Sequence, residues 1–300
     1  VFLKDKFHEG EFFCNMKSIM TIHNLKFQGV WDIDHFIYNT NLPGYMFTPD
    51  KLEFKKDANM LKGGLVYADY ITTVSETYAE EIKTPYYGEQ LDGLLCARSR
   101  SLRGILNGID YSVYNPETDP KIAVHYNEKN AVEKKKEAKR ALQKELGLPV
   151  DDSKFMIAII SRLTDQKGLD LVDWITERIV DEFTQFVIIG TGESRYEDMF
   201  RYYQGRFPDR VSANIFYSDA LAHKLYAAAD AMLVPSRFEP CGLTQLISLR
   251  YGTVPIVRET GGLKDTVEPY NEFEKCGTGF TFHNYNADDL LYTINYAKNI

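Results

Sequence analysis

The segment Ser161–Gly168 places two cations and a glycine directly after an apolar run and before a helical stretch. The N-terminus of a helix presents unpaired N–H groups and a partial positive charge, which suit a phosphate. Arg162 can donate two parallel hydrogen bonds to phosphate oxygens, and Lys167 acts as a point charge. Such charge-assisted bonds contribute roughly 1.5–3 kcal/mol each. The segment therefore indicates either an anion site or a solvated loop with two cations.

A second loop, Pro235–Gln245, carries the carboxylate of Glu239 between proline and glycine residues. A carboxylate beside free backbone amides can bind a sugar, because the carboxylate accepts hydrogen bonds from hydroxyl groups and the amides donate to them. The N–H groups of Cys241, Gly242 and Leu243 are expected to begin the next helix. The alternative is that Glu239 only stabilises the helix dipole, worth ~0.3–1 kcal/mol. The loop alone leaves both interpretations open.

Two further glycine-containing loops, Gly190–Glu193 and Thr260–Leu263, also lie between apolar runs and helical stretches. Either alone is a weak signal, since glycine is common in tight turns. In the first half of the chain, His23 follows an apolar run, and both a structural and a catalytic role are open. The Asp32–Asp34 segment resembles the D-x-D pair of metal-dependent sugar transferases, but no apolar strand precedes it. No cluster of cysteine and histidine residues is present, so no metal site is predicted.

These loops need elements that bring them together, and the second half of the chain supplies a regular alternation. Apolar runs alternate with helical stretches, which predicts βαβ units and a parallel sheet with helices on both faces. Ligands bind beyond the carboxyl ends of the strands in such sheets. The loops that begin at Ser161, Gly190, Pro235 and Arg258 should therefore share one rim. The predicted strands are Lys154–Ile160, Gln185–Gly190, Val211–Phe216, Asp230–Pro235 and Thr253–Val257.

The first half predicts fewer strands, at Ser18–Ile22, Tyr70–Val74 and Ile105–Leu106. We interpret residues 1–110 as the later part of one α/β lobe and residues 111–300 as a second lobe. Tyr111–Lys129 contains two Asx-Pro pairs and reads as an irregular connector. The chain begins with Val1 and stops within a predicted helix, so we expect a fragment of a longer protein.

Composition restricts the partners of the chain. It has 300 residues, 44% of them hydrophobic, and a formal net charge of −8, which gives no global attraction to nucleic acid or an anionic membrane. No apolar run approaches the roughly 20 residues of a membrane span. Four scattered cysteines suit a reducing cytosol. The lysine-rich run Glu133–Arg140 is interpreted as a solvated helix face, with a polymer-binding patch as the alternative.

Six motifs in order make the chain similar to the bacterial glycogen synthases and plant starch synthases, the ADP-glucose-dependent α-1,4-glucan synthases. The matching runs are Thr21–Val30, Lys62–Asp69 with Thr73–Glu76, Leu106–Asp110, Ser161–Gly168, Ser236–Gln245 and Thr260–Val267. The resemblance implies an α/β fold of two Rossmann-like lobes (the GT-B type), the first incomplete here. It further implies glucose transfer from ADP-glucose to the non-reducing end of an α-1,4-glucan, with retention of configuration and without a metal or other cofactor.

The resemblance also implies roles for individual residues. Arg162 and Lys167 would hold the donor's diphosphate, while Glu239 would hold glucose hydroxyls and His23 would contact the sugar from the other lobe. Asn107 would line the cleft near the acceptor, and Tyr217 would stack near the adenine. The remaining donor-binding residues implied are Cys241, Gly242, Leu243, Thr244, Gly261 and Gly262.

Departures from the family pattern set further expectations. Many two-lobe relatives carry a second glutamate eight residues after the first, where this chain has Ile247 and Gln245 is the nearest polar residue. The family's N-terminal Lys-Thr-Gly-Gly-Leu loop is absent, so the 300-residue chain alone is expected to be inactive. A transferase that uses UDP-glucose and a non-catalytic nucleotide-sugar-binding protein are the alternative functions. A bacterial cytoplasmic location is expected rather than a plastid one.

Overall fold

The computed structural model describes residues 1–300 and consists of two compact units, Val1–Leu106 and Asn107–Ile300. The division falls close to the interval in which the sequence analysis placed the lobe boundary. It differs in one respect that matters for the site: Asn107 and the residues up to Asp110 belong to the second unit, whereas the sequence analysis assigned them to the first lobe.

The first unit contains six short strands and five α-helices. In chain order they are α1 (Phe2–Asp5), β1 (Ile19–Ile22), β2 (Val30–Trp31), α2 (Ile33–Thr40), β3 (Glu53–Phe54), β4 (Asp57–Asn59), α3 (Met60–Tyr67), β5 (Tyr70–Thr73), α4 (Glu76–Glu81), α5 (Asp92–Ala97) and β6 (Leu102–Gly104). Strands β1, β5 and β6 form a parallel sheet in that order, and β2, β4 and β3 form an antiparallel sheet.

One prediction for the first unit needs correction, and one of its two sheets was not predicted. The strand predicted at Ile105–Leu106 is wrong: the paired strand is β6, in which Leu102 is buried against the sheet, while Ile105 is 61% exposed. The antiparallel sheet was not predicted, because strands of two or three residues are too short to show alternation.

Asp32 is the N-cap of α2, where its side chain accepts a hydrogen bond from the His35 N–H. Capping accounts for Asp32, and Asp34 lies in the first turn of α2, where a negative charge favours the helix dipole.

The second unit is a doubly wound α/β layer. Its elements are α6 (Ala131–Glu145), β7 (Phe155–Ile160), α7 (Leu169–Ile179), β8 (Thr184–Ile189), α8 (Ser194–Arg206), β9 (Val211–Asn214), α9 (Asp219–Ala228), β10 (Ala231–Val234), α10 (Thr244–Arg250), β11 (Val254–Arg258), α11 (Gly261–Thr266), β12 (Phe280–Phe282) and α12 (Ala287–Asn299). The strand order is β12-β11-β10-β7-β8-β9, and all pairs are parallel.

Helices cover both faces of this sheet. Along the central strand β7, Met156 and Ala158 belong to one buried cluster, and Ile157 and Ile159 belong to the other. This alternation follows from the two-residue period of a strand. The predicted parallel sheet is confirmed, with β12 as an additional edge strand that was not predicted, since its three residues give no clear pattern.

The lysine-rich helix α6 is not simply a solvated face. Lys139 is 4% exposed and donates to Asp230 Oδ2 at 2.6 Å. The ammonium group of Lys135 donates to the carbonyls of Tyr226, Ala227 and Tyr251 and to the hydroxyl of Thr253, at 2.8–3.4 Å. Lys135 therefore satisfies carbonyl groups at the C-terminal ends of both α9 and α10, which a helix leaves without intrahelical partners.

Two global features complete the description. All four cysteines are free thiols, and only Cys241 is buried. None of the helices combines the length and the apolar character that crossing a bilayer would require.

Candidate active site

The loops that follow β7, β8, β10 and β11 meet at the carboxyl edge of the six-stranded sheet. Leu163 forms an isolated bridge with Gly192, which joins the first two loops. The N–H of Gly262 donates to the carbonyl of Glu239 at 3.1 Å, which joins the last two. The prediction of one shared rim is confirmed, because parallel strands carry all their carboxyl ends to the same edge.

An ion pair lies at the centre of this rim. Lys167 Nζ is 2.6 Å from Glu239 Oε2, and the same oxygen accepts a hydrogen bond from Ser236 Oγ at 3.0 Å. The side chains of Lys167 and Glu239 are 18% and 9% exposed. Two of the predicted site residues, from separate loops, are thus in direct contact. The contact orients the Glu239 carboxylate and leaves its second oxygen for another donor.

Arg162 lies in the same loop as Lys167 and is exposed at the rim. The rest of that loop is held from the side by α8: Tyr196 OH donates to Asp165 Oδ1 at 2.6 Å, and Arg195 forms an ion pair with the same carboxylate. The backbone of Arg237 donates to the carbonyl of Gln166 at 2.9 Å. Arg162 therefore projects from a loop that is fixed on both sides.

The segment Cys241–Leu243 precedes α10 rather than forming its first turn, which corrects the expectation that these residues begin the helix. Gly242 has a φ of 75°, which L side chains rarely adopt. The hydrogen bonds of the structure provide no acceptor for the N–H groups of Gly242 and Leu243. Thr244 Oγ1 lies 3.5 Å from the carbonyl of Ile160. The segment thus presents backbone donors next to the Lys167–Glu239 pair.

Cys241 and Asn107 lie side by side. Burial, opposed by a hydrogen bond from the backbone of Asn107, raises the pKa of the Cys241 thiol. A raised pKa keeps the thiol protonated and unreactive at neutral pH. Asn107 also lines a cavity of about 650 Å³ between the connector after it and the C-terminal end of α10. Asn107 therefore belongs to the second unit both in chain order and in its contacts.

Gly261 and Gly262 have a packing reason for being glycine. A Cβ on Gly261 would overlap the carbonyl of Glu239, and a Cβ on Gly262 would overlap the backbone of Cys241. Gly261 also has a φ of 45°. These two residues bring the loop after β11 against the backbone that carries Glu239. Their predicted contact with a donor stays a prediction.

The two remaining predicted residues belong to other elements of the chain. Tyr217 follows β9 and is 86% exposed. His23 follows β1 in the first unit and is exposed. Their roles toward a donor stay predictions.

Two further residues of the rim were not assigned a role from the sequence. Ser236 hydrogen-bonds Glu239, and its position three residues before the carboxylate, in a loop after a strand, was the available signal. Gln245 is fully buried and hydrogen-bonds the carbonyls of Cys241 and Gly242. Burial of Gln245 could not be read from its neighbours, because the helix it opens is only seven residues long. No group of three or more histidine, cysteine or acidic side chains is arranged to hold a metal ion.

Comparison with known proteins matches a different family model to each of the two units. Residues 1–97 match the family model of the starch synthase catalytic domain, and residues 139–299 match that of the glycosyl transferases group 1. Among solved structures, the catalytic domain of starch synthase IV from Arabidopsis thaliana, bound to ADP and acarbose, has a TM-score of 0.91 at 33% identity. That match covers 99% of this chain and 62% of the other.

Two curated bacterial proteins are more similar in sequence. The glycogen synthase of Lachnospira eligens is 64% identical over 300 residues, and that of Lachnoclostridium phytofermentans is 63% identical over 300 residues. Each match covers 100% of this chain and 63% of the relative. The chain therefore spans less than two thirds of the length of these relatives.

Proposed function

We propose that the whole protein is a glucan synthase, since this chain belongs to the glycosyl transferase group 1 family. It transfers glucose from ADP-glucose to the non-reducing end of an α-1,4-glucan, as a glycogen or starch synthase does. The fold prediction of two Rossmann-like units of the GT-B type is confirmed by the parallel sheets and by the similarity to a starch synthase structure.

The observation that carries the proposal is the Lys167–Glu239 pair beside unpaired backbone amides at the rim of the donor-side sheet. Its parts match the parts of a nucleotide sugar. A diphosphate needs cations, which Arg162 and Lys167 supply at one loop. A glucose ring needs both acceptors and donors, which Glu239 and the amides of Gly242 and Leu243 supply at the next.

In the proposed reaction, the bond between glucose C1 and the diphosphate oxygen breaks, and that oxygen takes the bonding electrons. The 4-hydroxyl of the glucan forms the new C1–O bond as it loses its proton to the departing diphosphate. Retention of configuration requires the new bond to form on the face from which ADP leaves. Arg162 and Lys167 stabilise the charge that develops on the diphosphate, which fixed cations do without reorganisation. Glu239 holds the hydroxyl groups of the sugar throughout.

The supporting contacts extend the same site. We assign Thr244 to the sugar and phosphates because it directly follows the Cys241–Leu243 segment. We assign the loop of Gly261 and Gly262 to them because the Gly262 N–H donates to the carbonyl of Glu239. Exposed Tyr217 offers a ring face for the adenine. A bacterial cytoplasmic location is also proposed, supported by the bacterial relatives and by four cysteines that form no disulfide.

The first test is calorimetric titration of the chain with ADP-glucose and, separately, with UDP-glucose. We expect tighter binding of ADP-glucose, with a loss of affinity in Arg162→Ala. Tighter binding of UDP-glucose would favour the alternative of a UDP-glucose-dependent transferase. Binding of ADP-glucose without glucose incorporation into glycogen by the whole protein would favour a nucleotide-sugar-binding protein instead.

Independence from metal ions is part of the proposal, since Arg162 and Lys167 supply the charge that a divalent cation would otherwise bring. We expect an excess of EDTA to leave the affinity for ADP-glucose, and glucose incorporation by the whole protein, unchanged. Loss of binding in EDTA that added Mg²⁺ restores would contradict this part of the proposal.

A further inference from the structure

We infer that Gln245 is a positioning residue, which turns the N–H groups of Gly242 and Leu243 toward the donor by holding the carbonyls of the same segment. The inference rests on the proposed function for the identity of the ligand. It adds to the site a residue that orients the backbone N–H donors.

Gln245 is hydrogen-bonded to the Cys241–Leu243 segment through its side-chain amide. Gln245 Nε2 donates to the carbonyl of Cys241 at 2.9 Å and to that of Gly242 at 3.1 Å. The same nitrogen lies 3.1 Å from Thr266 Oγ1 on α11. Gln245 is fully buried. Because a peptide unit is planar, fixing the Cys241 and Gly242 carbonyls also fixes the direction of the next N–H groups, those of Gly242 and Leu243.

The orientation of the Gln245 amide follows from its neighbours. Two of the three groups around Nε2 are carbonyls, which only accept hydrogen bonds, so the NH₂ end must face them. The Oε1 atom is left buried without a hydrogen-bond partner. An unpaired buried acceptor is a cost that a purely structural glutamine would avoid. The Gln245 side chain thus donates to the two carbonyls while its own oxygen has no hydrogen-bond partner.

This arrangement requires a glycine at position 242. A Cβ at position 242 would overlap Gln245 Oε1, and its φ of 75° disfavours any other residue. The two residues therefore act together: Gly242 adopts the positive φ, and the hydrogen bonds from Gln245 fix the conformation of the segment.

The test compares Gln245→Met with Gln143→Met. Gln143 lies on helix α6, outside the rim, and is also fully buried. Its Nε2 donates to the carbonyl of Asp151 and to Gln185 Oε1. Both variants lose buried hydrogen bonds and keep the side-chain length, so the control matches the loss of stability. We expect Gln245→Met to bind ADP-glucose at least tenfold more weakly than wild type by calorimetry. Gln143→Met should bind within about twofold of wild type. Wild-type affinity in Gln245→Met, or an equal loss in both variants, overturns the inference.

A second variant supplies a readout that lost stability alone would not move. In Gln245→Glu, an ionised carboxylate cannot donate to either carbonyl, whereas a protonated one can donate once. Burial raises the pKa of a carboxyl group, so protonation is expected above the usual range. The affinity of Gln245→Glu for ADP-glucose should therefore rise relative to wild type as the pH falls from 8 to 6. A constant ratio over this range contradicts the inference.

Failure of the proposed function is distinguished by a measurement that needs no ligand. With ¹⁵N-labelled glycine, the amide resonance of Gly242 should shift in Gln245→Met, while that of Gly205 on α8 should not. If the whole protein binds no nucleotide sugar, the proposed function is wrong, and the Gly242 resonance still decides the inference. An unmoved resonance overturns it whatever the chain binds.

Discussion

At the scale of single residues, Lys167 and Arg162 carry the same charge in different surroundings. Lys167 is partly neutralised by Glu239 at 2.6 Å, whereas Arg162 is exposed at the rim. Under the proposed function Lys167 has two roles: it orients the Glu239 carboxylate that would hold the sugar, and it would contact the diphosphate. Because the Arg162 side chain is exposed, its removal should leave the fold intact.

The first prediction concerns Arg162→Ala. We expect the melting temperature to stay close to wild type, because exposed substitutions usually change stability by less than about 0.5 kcal/mol. In the whole protein kcat should fall by about 10²–10³, the usual cost of losing one contact to a developing anion. Arg140→Ala is the control, since Arg140 is also exposed and pairs with Asp152 away from the rim. Equal turnover in the two variants would remove Arg162 from the reaction.

The second prediction concerns Lys135. Burial lowers the pKa of its ammonium group from 10.5 to about 7. The unfolded chain then binds one more proton than the folded chain between pH 7 and 10, so this group makes stability rise with pH in that window. The free energy of unfolding of wild type minus that of Lys135→Met should therefore increase from pH 7 to pH 9.5. A difference that stays constant with pH, in denaturant titrations, would show that the pKa is not lowered.

At the scale of elements, the second unit was far more predictable than the first. Strands such as β7 and β8 are six residues long and wholly apolar at their centres, so their existence and parallel pairing followed from the sequence. Strands β2, β3 and β4 have two or three residues and depend on each other for pairing. The rim was predictable because topology brings the strand ends together. The Lys167–Glu239 contact was not, since it depends on the rotamers of two side chains 72 residues apart.

The third prediction belongs to the contact between two loops. Gly261→Ala places a methyl group against the carbonyl of Glu239 at a φ of 45°, and we expect a loss of roughly 1–3 kcal/mol. The matched control is Gly205→Ala on the exposed side of α8, where nothing lies within 4 Å of the added Cβ. Alanine there should stabilise the helix by up to about 1 kcal/mol. Denaturant unfolding of both variants tests the contrast, and a destabilisation of equal size would contradict it.

At the scale of the whole molecule, each unit has its own buried core, and several residues near the division of the chain are exposed. Ile105, Leu106 and Tyr111 are 61%, 42% and 65% exposed. Exposed segments without regular structure are preferred sites of proteolysis, and chymotrypsin cleaves after aromatic and large apolar residues.

The fourth prediction follows from that exposure. Brief treatment with chymotrypsin should cut the chain first between Ile105 and Val113, giving two fragments that resist further digestion. Mass spectrometry of the early products would locate the cut. Initial cleavage inside the six-stranded sheet would contradict the division into two independently packed units.

The close backbone contacts between loops have a consequence for how this rim can evolve. A Cβ on Gly168 would overlap the carbonyl of Pro235, just as one on Gly261 would overlap that of Glu239. An insertion or a change of backbone path in one loop would therefore need a compensating change in its neighbour. Point substitutions of outward side chains, such as Tyr217 and Leu243, which are 86% and 47% exposed, meet no such demand. Under the proposed function, descendants of this chain should acquire new donor preferences through such side chains while the loops between them keep their lengths.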